Sequence, residues 1–317
     1  MIDTHGGALD RAIARYGGKR EEWIDLSTGI NPWSYPVPSL PPEAWTRLPE
    51  SEALGGLEQA ARAAYAVPPN MDVVAGPGTQ ALIQLLPSLL PPSDVAIVSP
   101  TYSEHERAWS EAGHRVRHVS EPVASDVLIV VNPNNPDGRD WHAAELSARE
   151  LLIVDEAFRD TTPSRSAITN AKANAIVLRS FGKFYGLAGL RLGFAVAPPN
   201  WAEAIRRRLG PWAVSGPACE IGRRALNDHE WTAQMQDRLR AASGELARLV
   251  VARGLDVVGR TDLFVTARFP DASGMAEHLA SERILVRQFE YEPTWLRFGL
   301  TPTEEARDRL DRVLARG

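Results

Sequence analysis

The sequence has almost no cysteine and very little lysine. Cys219 is the one cysteine in 317 residues, which excludes an internal disulfide and a thiolate metal cluster. Lysine occurs only as Lys19, Lys172 and Lys183, and arginine supplies the other 32 of the 35 basic residues. Arginine thus carries the generic surface charge. A lysine that remains is a candidate for something a guanidinium cannot do, such as forming an imine. No apolar run approaches the roughly 18 residues of a membrane helix; the richest, Ala81–Leu90, is broken by Pro87. Positive charge is not in excess either. A net charge of −5 and a pI of about 5.9 argue against general nucleic-acid binding. The opening MIDTHGGALDR has no basic segment leading into an apolar one, so no signal peptide is expected and the cytoplasm is the expected compartment. With 44% apolar and 24% charged residues, the chain reads as a globular protein able to bury a large core.

The pattern along the chain is that of an α/β protein. Near-continuous apolar runs at Asp72–Ala75, Val95–Ser99, Val127–Val131, Leu151–Val154, Ala175–Leu178 and Phe194–Ala197 read as strands buried on both faces of a mostly parallel sheet. Segments such as Thr79–Leu90 and Ser103–Ala112 suit the covering helices. A helical stretch is expected from Trp201 to about Arg253. Beyond it, short strands at Leu263–Phe269, Ile284–Arg287 and Trp295–Gly299 mix with helices at Ser273–Glu282 and Thr303–Ala315. The expected layout is a three-layer large domain over residues 45–205 and a smaller α+β domain over 206–317. A proline-rich N-terminal arm, residues 1–44, joins the smaller domain.

Ligands of open α/β sheets bind at the carboxyl ends of the strands. Those ends carry a consistent chemistry here. They are Gly76-Pro77-Gly78-Thr79-Gln80, then Pro100-Thr101-Tyr102, then Asn132-Pro133-Asn134-Asn135-Pro136-Asp137-Gly138, then Asp155-Glu156-Ala157-Phe158, and finally Ser180-Phe181-Gly182-Lys183 leading to Arg191. A glycine turn admits an anion close to backbone N–H groups. An aromatic side chain stacks on a planar ring, and a carboxylate can pair with a protonated ring nitrogen. A lysine forms an imine. Together these fit a phosphorylated aromatic aldehyde with a basic ring nitrogen. His105, His114 and His118 lack the spacing of a metal site, and no metal is expected. Cys219 reads as a small buried residue near a helix start.

The motifs NPNNPDG, DEAF and SFGKFYGLAGLRLG are similar to those of the fold-type-I pyridoxal-phosphate enzymes, aminotransferase class I/II, and the resemblance spans about residues 5–312. It implies pyridoxal 5'-phosphate as cofactor, with Lys183 as the imine lysine and Asp155 on the pyridine nitrogen. Asn135 would bond the ring 3-hydroxyl, and Tyr102 would stack on the ring. Gly78, Thr79, Ser180 and Arg191 would hold the phosphate. Arg297, in WLRFG, matches the arginine for the substrate α-carboxylate. The resemblance also implies a homodimer. Two departures remove hydroxyls: Phe158 stands where many relatives have Tyr, and Leu48-Pro49 stands where many have Tyr-Pro.

Within that superfamily, His5-Gly6-Gly7 and the arm Ile24-Asp25-Leu26-Ser27-Thr28-Gly29-Ile30-Asn31-Pro32 resemble the threonine-phosphate decarboxylase group of cobalamin biosynthesis. The implied reaction is loss of CO₂ from L-threonine O-3-phosphate, a small phosphorylated amino acid. His5, Gly29 and Asn31 would then face substrate, and Arg287 would sit near its phosphate or carboxylate. The alternative is an aminotransferase of the histidinol-phosphate type. A non-catalytic cofactor-binding module and a dinucleotide-dependent oxidoreductase are further readings. The first lacks an appended DNA-binding domain, and the second lacks the third glycine of its loop. The two leading reactions differ in which Cα bond is held perpendicular to the cofactor ring. That depends on where Arg287 and Arg297 lie relative to Lys183.

Overall fold

The computed structural model describes residues 6–316; His5 lies outside them. The chain divides into two compact units. One comprises Ser34–Asn135 and Arg139–Gln234, and the other comprises the residues up to Trp33, Pro136–Gly138 and the chain from Met235 onward.

The larger unit is built on seven strands: β1 (Asp72–Gly76), β2 (Asp94–Val98), β3 (Arg115–Val119), β4 (Val127–Val131), β5 (Leu151–Asp155), β6 (Ala175–Ser180) and β7 (Gly193–Ala197). Their order across the sheet is β1-β7-β6-β5-β4-β2-β3. β7 runs antiparallel to both its neighbours, while the pairs from β6 to β3 are parallel. The apolar runs explain the arrangement. β4, β5 and β6 are buried along their whole length, because helices cover both faces and leave no place for a polar alternation. One such layer packs Leu82, Ile83, Trp109 and Ile205 against Val95, Ile129, Ile153 and Ile176. β3 was not anticipated. It is an edge strand with the sequence RVRHV and mostly exposed side chains, so its apolar signal is weak; its charged residues suit an edge that must not recruit another strand.

The smaller unit has a four-stranded sheet, β8 (Asp256–Thr261), β9 (Phe264–Arg268), β10 (Arg287–Gln288) and β11 (Trp295–Gly299), in the order β10-β11-β9-β8. β8 also escaped the sequence reading, since its run DVVGRT is only partly buried. The N-terminal arm is fastened within this unit. Ile24–Asp25 pairs with Ile284–Leu285, the Gly299 N–H donates to the Leu26 carbonyl at 2.7 Å, and the Trp33 indole donates to the Pro302 carbonyl at 2.9 Å.

The expected single helical stretch from Trp201 to Arg253 is three helices, Pro199–Leu209, Gly216–Asn227 and His229–Ala252. Gly210, at φ 70°, ends the first, and Ser215 caps the second by accepting the Ala218 N–H at 3.3 Å. Cys219 is buried in that second helix. Burial, with Glu220 and Glu58 adding to it, pushes its thiol up to about 11, which leaves it an inert core residue. No helix among the described residues is long and apolar enough to cross a membrane.

Gly193 opens β7 directly behind the Gly78-Thr79 turn. A Cβ placed there would lie 2.5 Å from the Thr79 backbone nitrogen. Gly193→Ala is therefore expected to destabilise the larger unit by about 1–3 kcal/mol, read as a lower urea midpoint at unchanged m-value.

Candidate active site

The carboxyl ends of β1, β2, β4, β5 and β6 open onto one cavity of about 180 Å³ in the larger unit. Gly78, Thr79, Tyr102, Asn135, Asp155, Ser180, Lys183 and Arg191 all line it, with Phe158 and Ala188 among their neighbours. The parallel strands deliver these residues from positions far apart in sequence because each chain leaves the sheet at the same edge.

Asp155 is the buried end of β5. A carboxylate there is costly unless it is bonded, and the structure supplies two donors. The Ala157 N–H reaches Oδ1 at 3.0 Å, and Nε2 of the fully buried His105 lies 2.9 Å from Oδ2. An ionised carboxylate only accepts, so His105 donates from Nε2. The sequence reading passed over His105, testing it only as a metal ligand. The available signal was its offset from Tyr102. Three residues into the helix Ser103–Glu111, one turn after an aromatic at the site, a side chain turns back onto the sheet.

Tyr102 is held edge-on to His105, with ring centroids 6.2 Å apart. Its hydroxyl donates to Gln80 Oε1 at 3.0 Å, and Gln80 Nε2 donates to Glu104 at 2.6 Å. This tether fixes the ring's orientation from both flanking turns. The turn carrying Asn135 is rigid by the same logic. Asn132 exchanges two bonds with the Trp141 backbone at 2.9 and 2.8 Å, and Thr101 donates to Asn134 at 2.6 Å.

Lys183 sits in the one-turn helix Phe181–Phe184, and its Nζ lies 5.5 Å from the Phe158 ring centroid. Arg191 adopts a left-handed backbone, φ 54°, which costs a non-glycine residue energy and brings its guanidinium over Gly78. Gly78 has φ 83°, and a Cβ there would meet Arg191 Nη2 at 2.7 Å. The positive φ is what favours glycine here, and a side chain would also displace the Arg191 guanidinium. The result is a cradle of backbone, hydroxyl and guanidinium donors beside a single lysine and a buried carboxylate.

Arg297, Arg287, Gly29 and Asn31 belong to the smaller unit. Arg297 is buried on β11, and its Nη2 donates to the Ser27 carbonyl at 2.8 Å. Arg287 on β10 is its directly paired residue. Like charges opposite one another are unfavourable. Burial, and then the Arg287 charge, lower the Arg297 guanidinium to about 10; an anion bound beside the pair would oppose that shift. Gly29 and Asn31 are buried in the arm, and Asn31 Oδ1 accepts the Trp33 N–H at 2.8 Å. The two halves of the N-terminal motif meet where the Gly7 N–H donates to Ser27 Oγ at 2.8 Å.

The aminotransferase class I and II family model matches residues 43–314. The chain belongs to that family. Among its relatives, the threonine-phosphate decarboxylase of a Sinorhizobium species is 45% identical over 99% of this chain and 98% of its own length. That of Pseudomonas aeruginosa is 43% identical over 98% and 96%. The fold is also that of a Sinorhizobium meliloti histidinol-phosphate aminotransferase solved in complex with pyridoxal-5'-phosphate. The TM-score is 0.80 at 20% identity, over 97% of this chain and 93% of that one. The family fold accounts for the seven-stranded, mostly parallel sheet found here.

Removing the His105 donor leaves Asp155 buried with one fewer partner. His105→Leu is expected to lower the unfolding free energy of the cofactor-free protein by about 1–3 kcal/mol. His105→Gln, which keeps a donor, should recover part of it in the same urea titration.

Proposed function

We propose that this chain is a pyridoxal-phosphate-dependent decarboxylase that converts L-threonine O-3-phosphate to (R)-1-aminopropan-2-ol O-phosphate and CO₂, a step of cobalamin biosynthesis in the cytoplasm. The observation that carries the reading is the near-full-length identity of 43–45% to two threonine-phosphate decarboxylases. The single lysine set among Asp155, Ser180 and Arg191 supports it.

The donor set fits the cofactor. When bound, pyridoxal phosphate supplies an aldehyde that condenses with amines and a ring that takes up the electron pair left at Cα. Lys183 would hold the aldehyde carbon, and Asp155, oriented by His105, would bond the ring nitrogen. Tyr102 would cover one face of the ring and Asn135 would bond its 3-oxygen. Gly78, Thr79, Ser180 and Arg191 would hold the phosphate, Arg191 as an always-charged fork matched to phosphate oxygens.

The substrate carries two anions, a carboxylate and a phosphate ester, and the smaller unit has two paired arginines. By the resemblance, Arg297 would take the α-carboxylate and Arg287 the phosphate end, and Gly29 and Asn31 would face the substrate; the same role expected of His5 lies outside the described residues. The carboxylate then departs as CO₂, and a proton delivered by Lys183 or a water takes its place at Cα. Phe158, which has no hydroxyl to offer the ring oxygen, leaves that contact to Asn135.

The working form is a homodimer. Val37, Trp45, Leu48 and Trp212 are all more than half exposed and border one open depression of about 700 Å³. Such a cluster of large apolar side chains is costly in water. The depression also includes the turn Gly186–Leu190 that follows Lys183, so the second copy covers the back of the cofactor loop. Leu48→Glu is expected to give a monomer by light scattering, with weakened cofactor retention.

The decisive assay adds L-threonine O-3-phosphate, without a keto acid, to protein reconstituted with pyridoxal phosphate. Steady CO₂ release is expected. It should be lost in Lys183→Ala and show a KM raised at least about tenfold in Arg297→Lys, which cannot make the two-point contact. Amino transfer from histidinol phosphate to 2-oxoglutarate without CO₂ would instead make the chain an aminotransferase.

A further inference from the structure

Behind the cofactor residues the larger unit buries a second set of charges that the proposed chemistry does not use. Glu156 follows Asp155 and Arg179 precedes Ser180, so their side chains leave the other face of the sheet. There Arg179 donates to Glu156 at 3.0 Å and to Asp160. Glu156 accepts two further bonds at 2.6 Å, from the Ser166 hydroxyl and the Ala167 N–H. Arg179 and Glu156 are 1% and 0% exposed. The Arg179 guanidinium also lies 4.3 Å from the centroid of the Tyr65 ring. Burial works against its charge, but Asp160 and Glu156 outweigh that and hold its pKa above the ordinary arginine value.

Such a cluster is a poor way to gain stability, because apolar residues of the same volume would serve as well or better. What it adds is direction, since charge-assisted bonds hold their lengths where apolar contacts slide. It sits where direction matters. The last paired residues of β5 and β6 are Asp155 and Leu178, and one further backbone bond joins the Glu156 N–H to the Leu178 carbonyl at 2.9 Å. Beyond that point β5 leaves the sheet, and the Arg179–Glu156 pair is the next tie between the two chains. Asp160 fixes the other arm of the Arg179 guanidinium. Burial, and then the Asp160 charge, raise the Tyr185 phenol above its ordinary range. Tyr185 stacks on Phe181 at 4.3 Å within the Lys183 turn.

We infer that the buried Arg179–Glu156–Asp160 triad is a positioning device for the cofactor, locking the carboxyl ends of β5 and β6 so that Asp155 and Ser180 hold the ring nitrogen and the phosphate at one fixed separation. This rests on reading the cavity as a pyridoxal-phosphate site, not on which Cα bond is broken. None of the three residues lines the cavity; Glu156 and Arg179 act through their chain neighbours Asp155 and Ser180, and Asp160 acts through its bond to Arg179.

The test compares Glu156→Gln and Arg179→Lys with Ile205→Ala, a core change elsewhere in the same unit that creates a cavity. Each protein is titrated with pyridoxal phosphate. The readouts are the dissociation constant, the visible circular dichroism of the bound cofactor, the pH midpoint of its absorbance, and the melting temperature without cofactor. The expected result is a dissociation constant raised at least about tenfold, the scale of a sub-ångström misplacement, with altered dichroism and a shifted pH midpoint in both triad variants. Ile205→Ala should lose melting temperature while keeping the wild-type cofactor spectrum. Arg179→Lys, which keeps the charge but not the fork, should fall between wild type and Arg179→Met wherever the latter folds. Wild-type affinity, dichroism and pH midpoint in Glu156→Gln and Arg179→Lys would reduce the triad to a structural element and overturn the inference. Failure of the wild-type protein itself to bind pyridoxal phosphate would overturn the reading of the cavity, and the inference with it.

Discussion

A carboxylate at the end of a strand that is buried on both faces must be bonded on every side, and the larger unit is organised around meeting that condition at Asp155. The Ala157 N–H and His105 occupy its two oxygens. His105 in turn lies edge-on to Tyr102, whose hydroxyl is tied to Gln80. The chain of contacts thus runs from the carboxylate through the helix after β2 to the turn after β1. On the reverse face, Glu156 meets the same demand with Arg179, Ser166 and Ala167. Two neighbouring carboxylates, one on each side of the sheet, each recruit partners from outside their own strand. The active cavity is what remains between the partners of the first.

Charge in the smaller unit is arranged by a different rule. Arg287 and Arg297 are paired across β10 and β11, and Arg297 is buried with its guanidinium lowered to about 10. Proteins avoid placing like charges opposite one another unless a ligand of the other sign completes the set. The substrate proposed here, with a carboxylate and a phosphate ester, would do so. That would account for the use of arginine at both positions, since a planar fork meets two oxygens at once.

Much of the site was legible from the chain. Gly78, Thr79, Tyr102, Asn135, Asp155, Ser180, Lys183 and Arg191 were singled out because each follows an apolar run, and parallel strands bring their carboxyl ends to one edge. They line one cavity. The strands that escaped notice, Arg115–Val119 and Asp256–Thr261, carry polar or half-buried side chains and so lack the continuous apolar signal. The helical stretch after Pro198-Pro199 was read as one, although Gly210-Pro211 and Ser215-Gly216-Pro217 carry a helix stop and a helix start in the sequence; the second break, at Asp228, has no glycine or proline to mark it. His105 was missed because its meaning lies in a partner 50 residues away in the chain.

The sequence by itself determined the class of sheet, the order in which the chemical groups leave it, and which lysine lines the cavity. These follow from local facts: which runs are apolar, which turns hold glycine, and how few lysines there are. Tertiary structure alone decided which groups support those residues. The pairing of His105 with Asp155, the Arg179–Glu156–Asp160 triad and the opposition of Arg287 and Arg297 all depend on strand register and on which face a side chain leaves. A single-residue shift in register would exchange those faces. Composition and spacing carry no record of register between strands distant in the chain, so those contacts exist only once the sheet has formed.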